Sequence, residues 1–178
     1  MVDDAWLVIT GRVSAPFKIA FRTWELSAIL LLIGCVTATP GDFFKADLVT
    51  RFVFFGGQYL AATATFAWIT ARLLRQSGYP IPFILNYSLL TLLALPDTLV
   101  PVVATFDETS AVMVSIGWMI FSLFAFSRAM MRLIPVSKPR MAGIVLAGLM
   151  SSQLVSYVAY QFADSTGWMD VSSFTASE

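Results

Sequence analysis

Five apolar stretches, separated by short polar turns, set the limits on what this chain can fold into. A helix that crosses a bilayer needs about 20 mostly apolar residues. Candidate spans lie at 26–39, 52–71, 81–106, 109–127 and 141–163. The first is short, and Trp24 extends it towards an interface. Hydrophobic residues make up 58% of the chain and charged ones only 12%, against about 25% charged in soluble domains. So few charges cannot cover a water-facing surface, and lipid is the simplest alternative. The expected fold is all-α: a polytopic membrane helix bundle of five transmembrane helices forming a single domain over 1–164. A loose polar C-terminal tail is expected over 165–178.

The basic residues test this count independently. With the N-terminus on the cytoplasmic side, the inside segments hold Arg12, Lys18, Arg22, Arg72, Arg75, Arg128, Arg132, Lys138 and Arg140. The outside segments hold only Lys45 and Arg51, so nine against two accounts for all 11 basic residues. An excess of Lys and Arg marks cytoplasmic loops. A wrong helix count would scramble the alternation. The expectation is an integral protein of a bacterial inner membrane, N-terminus cytoplasmic and C-terminus periplasmic.

Ahead of the first span, Ser14 and Pro16 mark a helix start. Phe17, Ala20, Phe21 and Trp24 then share one face, with Lys18, Arg22 and Glu25 elsewhere. This pattern predicts a short amphipathic helix lying at the inner surface, its cations near anionic headgroups. Within the first span, Leu32-Ile33-Gly34-Cys35 resembles a lipoprotein cleavage box. The positively charged region before it is too long for a signal peptide of about 15–30 residues, so Cys35 is read as a buried or lipid-facing thiol.

The function classes narrow by elimination. There is no histidine, which excludes a His-ligated haem, a His-based zinc site and a Ser/His/Asp triad. The single cysteine cannot form an internal disulfide and is a poor start for a metal site. A net charge of zero argues against nucleic acid as a partner. No span carries two acids or a serine beside a lysine, so no enzyme, cofactor or metal centre is expected. Membrane lipids and other membrane proteins are the expected partners.

One acid stands out. Asp97 lies inside the third span between Pro96 and Pro101. A charge at the bilayer centre costs about 2.5–3.5 kcal/mol on insertion scales. Each proline deprives a carbonyl of its helical partner, so the helix is expected to break here. Asp97 could serve a polar pocket, an ion site or a proton relay. It could equally cap the second half of the broken helix. In a third reading the span ends near Leu95 and Asp97 rests in outer headgroups, about 24 Å along from Ile81 at 1.5 Å per residue. Asn86 joins Asp97, Pro96 and Pro101 as a candidate polar site. Asn86, Gln58 and Gln153 are read as amides bonding between helices. Gly57, Ala61 and Thr65 form a small-residue stripe in the second span, and Gly148, Ser152 and Ser156 another in the fifth. Such faces let helices approach closely, within one chain or between chains.

The order of features also resembles a known family. SAPFKIAF precedes the first span, GYPIPFILNYSLLTLLALP opens the third, and WMIFSLFAFSRAMMRLIPVSKPRMAGIVLAGL runs from the fourth into the fifth. Over about 14–163 this pattern resembles the Yip domain family, the Ypt/Rab-interacting proteins and their bacterial relatives. Gly78-Tyr79, Asn86-Tyr87-Ser88 and Pro96 match that family's habit around its third span. The resemblance implies five spans with a cytoplasmic N-terminus. The long N-terminal region and the aspartate-leucine-glycine-proline type motif of eukaryotic members are missing, so the likeness is to short bacterial members and Rab binding is not expected. The function implied is a non-catalytic scaffold or adaptor organising membrane proteins or lipids. The alternative is a small transporter, or an accessory subunit of a transport complex, using the broken third helix around Asp97.

Overall fold

The computed structural model describes residues 22–38 and 44–169. The amphipathic helix expected at 14–23 lies outside them except for its last two residues. All regular structure among the described residues is helical. The helices are α1 (Thr23–Val36), α2 (Leu48–Gln76), α3 (Phe83–Ala94), α4 (Val100–Ala104), α5 (Glu108–Leu133) and α6 (Lys138–Ser165), with a 3-10 turn at Leu95–Leu99 joining α3 to α4. The fold is an all-α membrane bundle. Four segments are long and apolar enough to cross a bilayer: α2, α3 through α4, α5 and α6. The fifth, α1, has 14 residues and reaches about 21 Å.

Local chemistry sets the helix ends. The Glu25 carboxylate accepts the Arg22 backbone N–H at 2.9 Å, closing the first turn of α1. At its other end the Thr37 hydroxyl donates back to the Ile33 carbonyl at 3.0 Å. Gly78, at φ +89°, ends α2 in the left-handed conformation that glycine adopts without a Cβ penalty. Asp107 caps α5, accepting the Ser110 N–H at 2.9 Å and the Thr109 N–H at 3.3 Å. The Ser110 hydroxyl and these amides hold the Asp107 carboxyl below the usual carboxylate range. The helices run past the apolar stretches read from sequence. Arg72 and Arg75 lie in the last turns of α2, Arg128 and Arg132 in those of α5, and Lys138 and Arg140 in the first turn of α6. Charged residues in these turns extend helix into the headgroup region, where their long side chains reach water.

Successive helices run antiparallel, so the turns gather at two ends. The basic end holds the α2–α3 and α5–α6 turns with the arginines and lysines just named. The acidic end holds Asp47, Asp107 and Asp164. Helix α2 is central, flanked by α1, α3 and α6. Phe66, Leu89, Leu92, Phe126, Met130 and Ile144 fill the largest cluster, weighted to the basic end. Leu26, Leu30 and Ile33 of α1 pack on Ala67, Tyr87 and Ala94. Residues 165–169, read from sequence as the start of a loose tail, are tied down. The Trp168 carbonyl accepts the Lys45 N–H at 2.8 Å, and Met169 packs with Phe44, Phe54 and Ala163. Outward faces carry Leu32, Val53, Met113, Ile120, Phe124 and Leu154, all exposed. An apolar surface on that scale faces lipid.

Small residues set the closest helix contact, though not at the positions the stripes suggest. A Cβ on Gly34 would lie 2.7 Å from the Gly56 Cα and 2.7 Å from the Phe55 carbonyl oxygen. This is the α1–α2 crossing. Gly57 faces open space and Ala61 is exposed, so that stripe lies on the surface of the chain. Gly148 packs against Thr70 and Phe66 of α2, and Ser152 is buried nearby. Cys35 lies inside α1, its thiol donating to the Phe52 carbonyl at 3.4 Å.

Candidate functional site: an intramembrane cavity at the break in the third span

The prolines dictate the backbone at the break. In a 3-10 turn each carbonyl accepts from the N–H three residues on. Pro96 has no N–H to give Leu93, and the Leu93 carbonyl accepts the Trp118 indole N–H at 2.9 Å instead. Pro101 likewise leaves the Asp97 carbonyl without its α-helical donor, and the Val100 N–H takes it in the tighter register. The break is therefore closed partly by its own turn and partly by α5. Replacing Trp118 with Phe keeps a ring in place and leaves the Leu93 carbonyl without its indole donor. The expected cost is about 1–3 kcal/mol, readable as a lower unfolding midpoint in detergent. An unchanged midpoint would show that Trp118 does not support the break.

The break turns Asp97 inward. Its carboxylate accepts a hydrogen bond from the Tyr59 hydroxyl of α2. It does not cap a helix: neither the 3-10 turn nor α4 has a side-chain cap. Nor does the span end near Leu95, because helical structure continues to Ala104. The Asp97 partner Tyr59 lies about 16 Å along α2 from Leu48, well inside the apolar layer.

Around this pair lies a cavity of about 320 Å³. From α2 it receives Tyr59, Thr63 and Phe66, one helical face at spacings of three and four. From α5 come Ser115, Trp118 and Ser122, again one face. From α6 come Ser152, Gln153 and Ser156. Gln58 donates to the Ser156 hydroxyl at 2.6 Å, and Ser156 donates on to the Ser152 carbonyl at 3.2 Å. The Ser122 hydroxyl is buried without a hydrogen-bond partner. Among the described residues no lysine or arginine lines the cavity, and Asp97 is the one ionisable group there besides the Tyr59 phenol. Gln153 and Met119 both line it and are exposed, so its mouth opens between α5 and α6. Those two helices pack mainly near their shared turn, in the cluster around Phe126 and Met141.

The candidates read from sequence fall in different places. Asp97 is in the cavity wall, and Pro96 and Pro101 shape the backbone that presents it. Asn86 is fully buried and stands apart. Its amide donates to the Thr70 hydroxyl at 3.1 Å, linking α3 to α2, while its Oδ1 has no partner. Gln58 bonds between helices as expected, whereas Gln153 sits at the mouth. Sequence reasoning missed Tyr59, Trp118, Ser115 and Ser122. The two serines and the tryptophan recur at spacings of three and four within an otherwise apolar span, a polar face that could have been recognised. Nothing in the sequence pairs Tyr59 with Asp97.

Chemically, the cavity offers one carboxylate, hydroxyl and amide groups, and aromatic walls. Among the described residues no three His, Cys, Asp or Glu side chains converge. The arrangement suits recognition of a small molecule by charge and hydrogen bonding. Compared with protein-family models, curated proteins and solved structures, the chain matches none of them.

Proposed function

We propose that this is a non-catalytic membrane protein that binds a small solute within the bilayer, acting as a small transporter or an accessory subunit of a transport complex. The observation that carries this reading is the cavity at the break in the third span. Broken spanning helices with irregular backbone at membrane depth line binding sites in transporters. An ionisable residue facing the interior of a bundle marks a ligand or ion pathway by default. The cost of keeping Asp97, Tyr59 and five serine or threonine hydroxyls around one space is explained by a ligand that uses them.

Gentle extraction followed by native mass spectrometry tests the reading. The expected result is a small-molecule adduct on the wild-type chain that disappears from Ser115→Phe, which fills the cavity from its exposed side. A stoichiometric permease or ATPase in the same spectrum supports the accessory-subunit form. A bare chain with no adduct and no partner sets the reading aside.

The second reading is a Yip-like scaffold. The outward-facing Gly57 and the exposed Ala61 favour it, since a small-residue face on the lipid side of a bundle accepts a partner helix. In either case the basic end belongs in the cytoplasm of a bacterial inner membrane, by the asymmetry of lysine and arginine. A reporter active only in the cytoplasm, fused after Glu178, is expected to stay silent. Strong signal from it would reverse the orientation.

A further inference from the structure

We propose that the ligand of this cavity is an amphipathic ammonium compound, an amine or quaternary ammonium head on an apolar body, which enters sideways from the lipid between α5 and α6. This rests on reading the cavity as a binding site, and adds the class of ligand and the route.

Charge selects the head. Among the described residues Asp97 lines the cavity with no basic side chain to neutralise it, and Tyr59 supplies its one side-chain hydrogen bond. A carboxylate has about four lone-pair positions, so most of its accepting capacity remains for a ligand. A phosphate or carboxylate head would meet repulsion with no compensating cation. A bare hard cation is also a poor fit, because such ions gather several oxygen ligands at close range. Here one carboxylate and the neutral hydroxyl and amide oxygens line a space of about 320 Å³, the size of a small organic ligand.

The walls select the body. Phe66, Leu90, Leu93, Trp118, Leu123 and Leu149 surround the polar groups. Trp118 is fixed by its bond to the Leu93 carbonyl, one helical turn before Asp97 and on the same face. Its ring lines the same cavity as the carboxylate, so an ammonium there can draw on both the charge and a π-face. The mouth selects the route. Gln153 is exposed near the middle of α6, next to Met150 at 66%, Leu154 at 63% and Tyr157 at 61% exposed. An amide among lipid-facing side chains at that depth is costly unless polar solutes pass it. The basic end of the cavity is closed by the cluster containing Phe126, Met130 and Ile144.

The test is equilibrium binding of octyltrimethylammonium to the full chain in dodecyl maltoside, beside its uncharged isostere in which carbon replaces nitrogen. Saturable binding of the cation is expected, at least about tenfold tighter than the isostere, since one such factor is only a small part of a desolvated charge interaction. Asp97→Asn should lose that preference while eluting as wild type does. Asp107→Asn, outside the cavity, should keep it. Adding phosphatidylethanolamine separates two sources of the same chemistry: competition assigns a lipid headgroup, and no competition a free amine, both within the proposal. Equal binding of cation and isostere that Ser115→Phe abolishes would overturn the ammonium class and leave the cavity a binding site. Absence of saturable binding by either, or binding that Ser115→Phe leaves unchanged, would overturn this proposal. Only loss of the native adduct as well would remove the underlying reading.

Discussion

Asp97→Asn is expected to fold and insert as the wild type does, yet to lose the small-molecule adduct proposed for the cavity. The amide oxygen still accepts the Tyr59 hydroxyl, so the bond between α2 and the broken span survives while the charge is removed. Asp97→Leu separates structure from recognition. It leaves the Tyr59 hydroxyl in an apolar wall without its partner, at an expected cost of about 1–3 kcal/mol. Tyr59→Phe should cost a comparable amount from the other side of the pair, since hydrogen bonds to charged groups contribute about 1.5–3 kcal/mol. Thermal unfolding in detergent and retention of the native adduct, measured together on the three variants, resolve these roles. An Asp97→Asn protein that keeps its adduct at the wild-type level would reduce Asp97 to a structural link between helices.

The second large effect belongs to Gly34. The atoms a methyl group there would meet are the Gly56 Cα, the Phe55 carbonyl oxygen and the Tyr59 Cβ, all within 2.8 Å. None is the end of a flexible side chain, so Gly34→Ala must move α1 as a body. Overpacking of this kind costs about 1–3 kcal/mol. The displaced contact includes Tyr59, so the damage reaches Asp97 and the cavity wall. Gly57→Ala is the control one residue beyond Gly56. Nothing lies within 4 Å of its Cβ position, and alanine in place of glycine favours a helix by about 1 kcal/mol. The two single-methyl additions should therefore shift the unfolding midpoint in opposite directions. Equal midpoints would show that α1 does not cross α2 at Gly34.

What could be read from sequence follows from the range over which each signal acts. Apolar runs and proline positions are local, so the five segments and the break between Pro96 and Pro101 were legible to within a few residues. The helix ends were less so, because Arg72, Arg128 and Lys138 extend helix past the apolar layer that the reading measured. Glycine stripes reported a capacity for close packing without a direction. Gly57 and Ala61 have the spacing, but the rotation of α2 brings Gly56 onto α1 and turns Gly57 outward. The cavity was the least legible part. It depends on four segments arriving at one depth, and only Asp97 and the polar face of Ser115, Trp118 and Ser122 hinted at it. Tyr59 and Trp118 went unrecognised because their hydroxyl and indole partners lie on other helices.

The shortness of α1 has a consequence for the membrane itself. Its 14 residues reach about 21 Å, against about 30 Å of hydrocarbon. A stretch that falls short of the layer cannot recover the difference by tilting. The bilayer must thin against it, or flanking side chains must reach out to the interface, at a fraction of a kcal/mol for each ångström of mismatch. The face that α1 turns to lipid, with Trp24 at 64% and Leu32 at 63% exposed, is therefore where one of these adjustments falls. The rest of the bundle, with spanning segments of 22 to 29 residues, needs none of them. Acyl-chain length thus acts unevenly around the molecule. Longer lipids load α1 and, through Gly34, the contact that holds Tyr59 against Asp97.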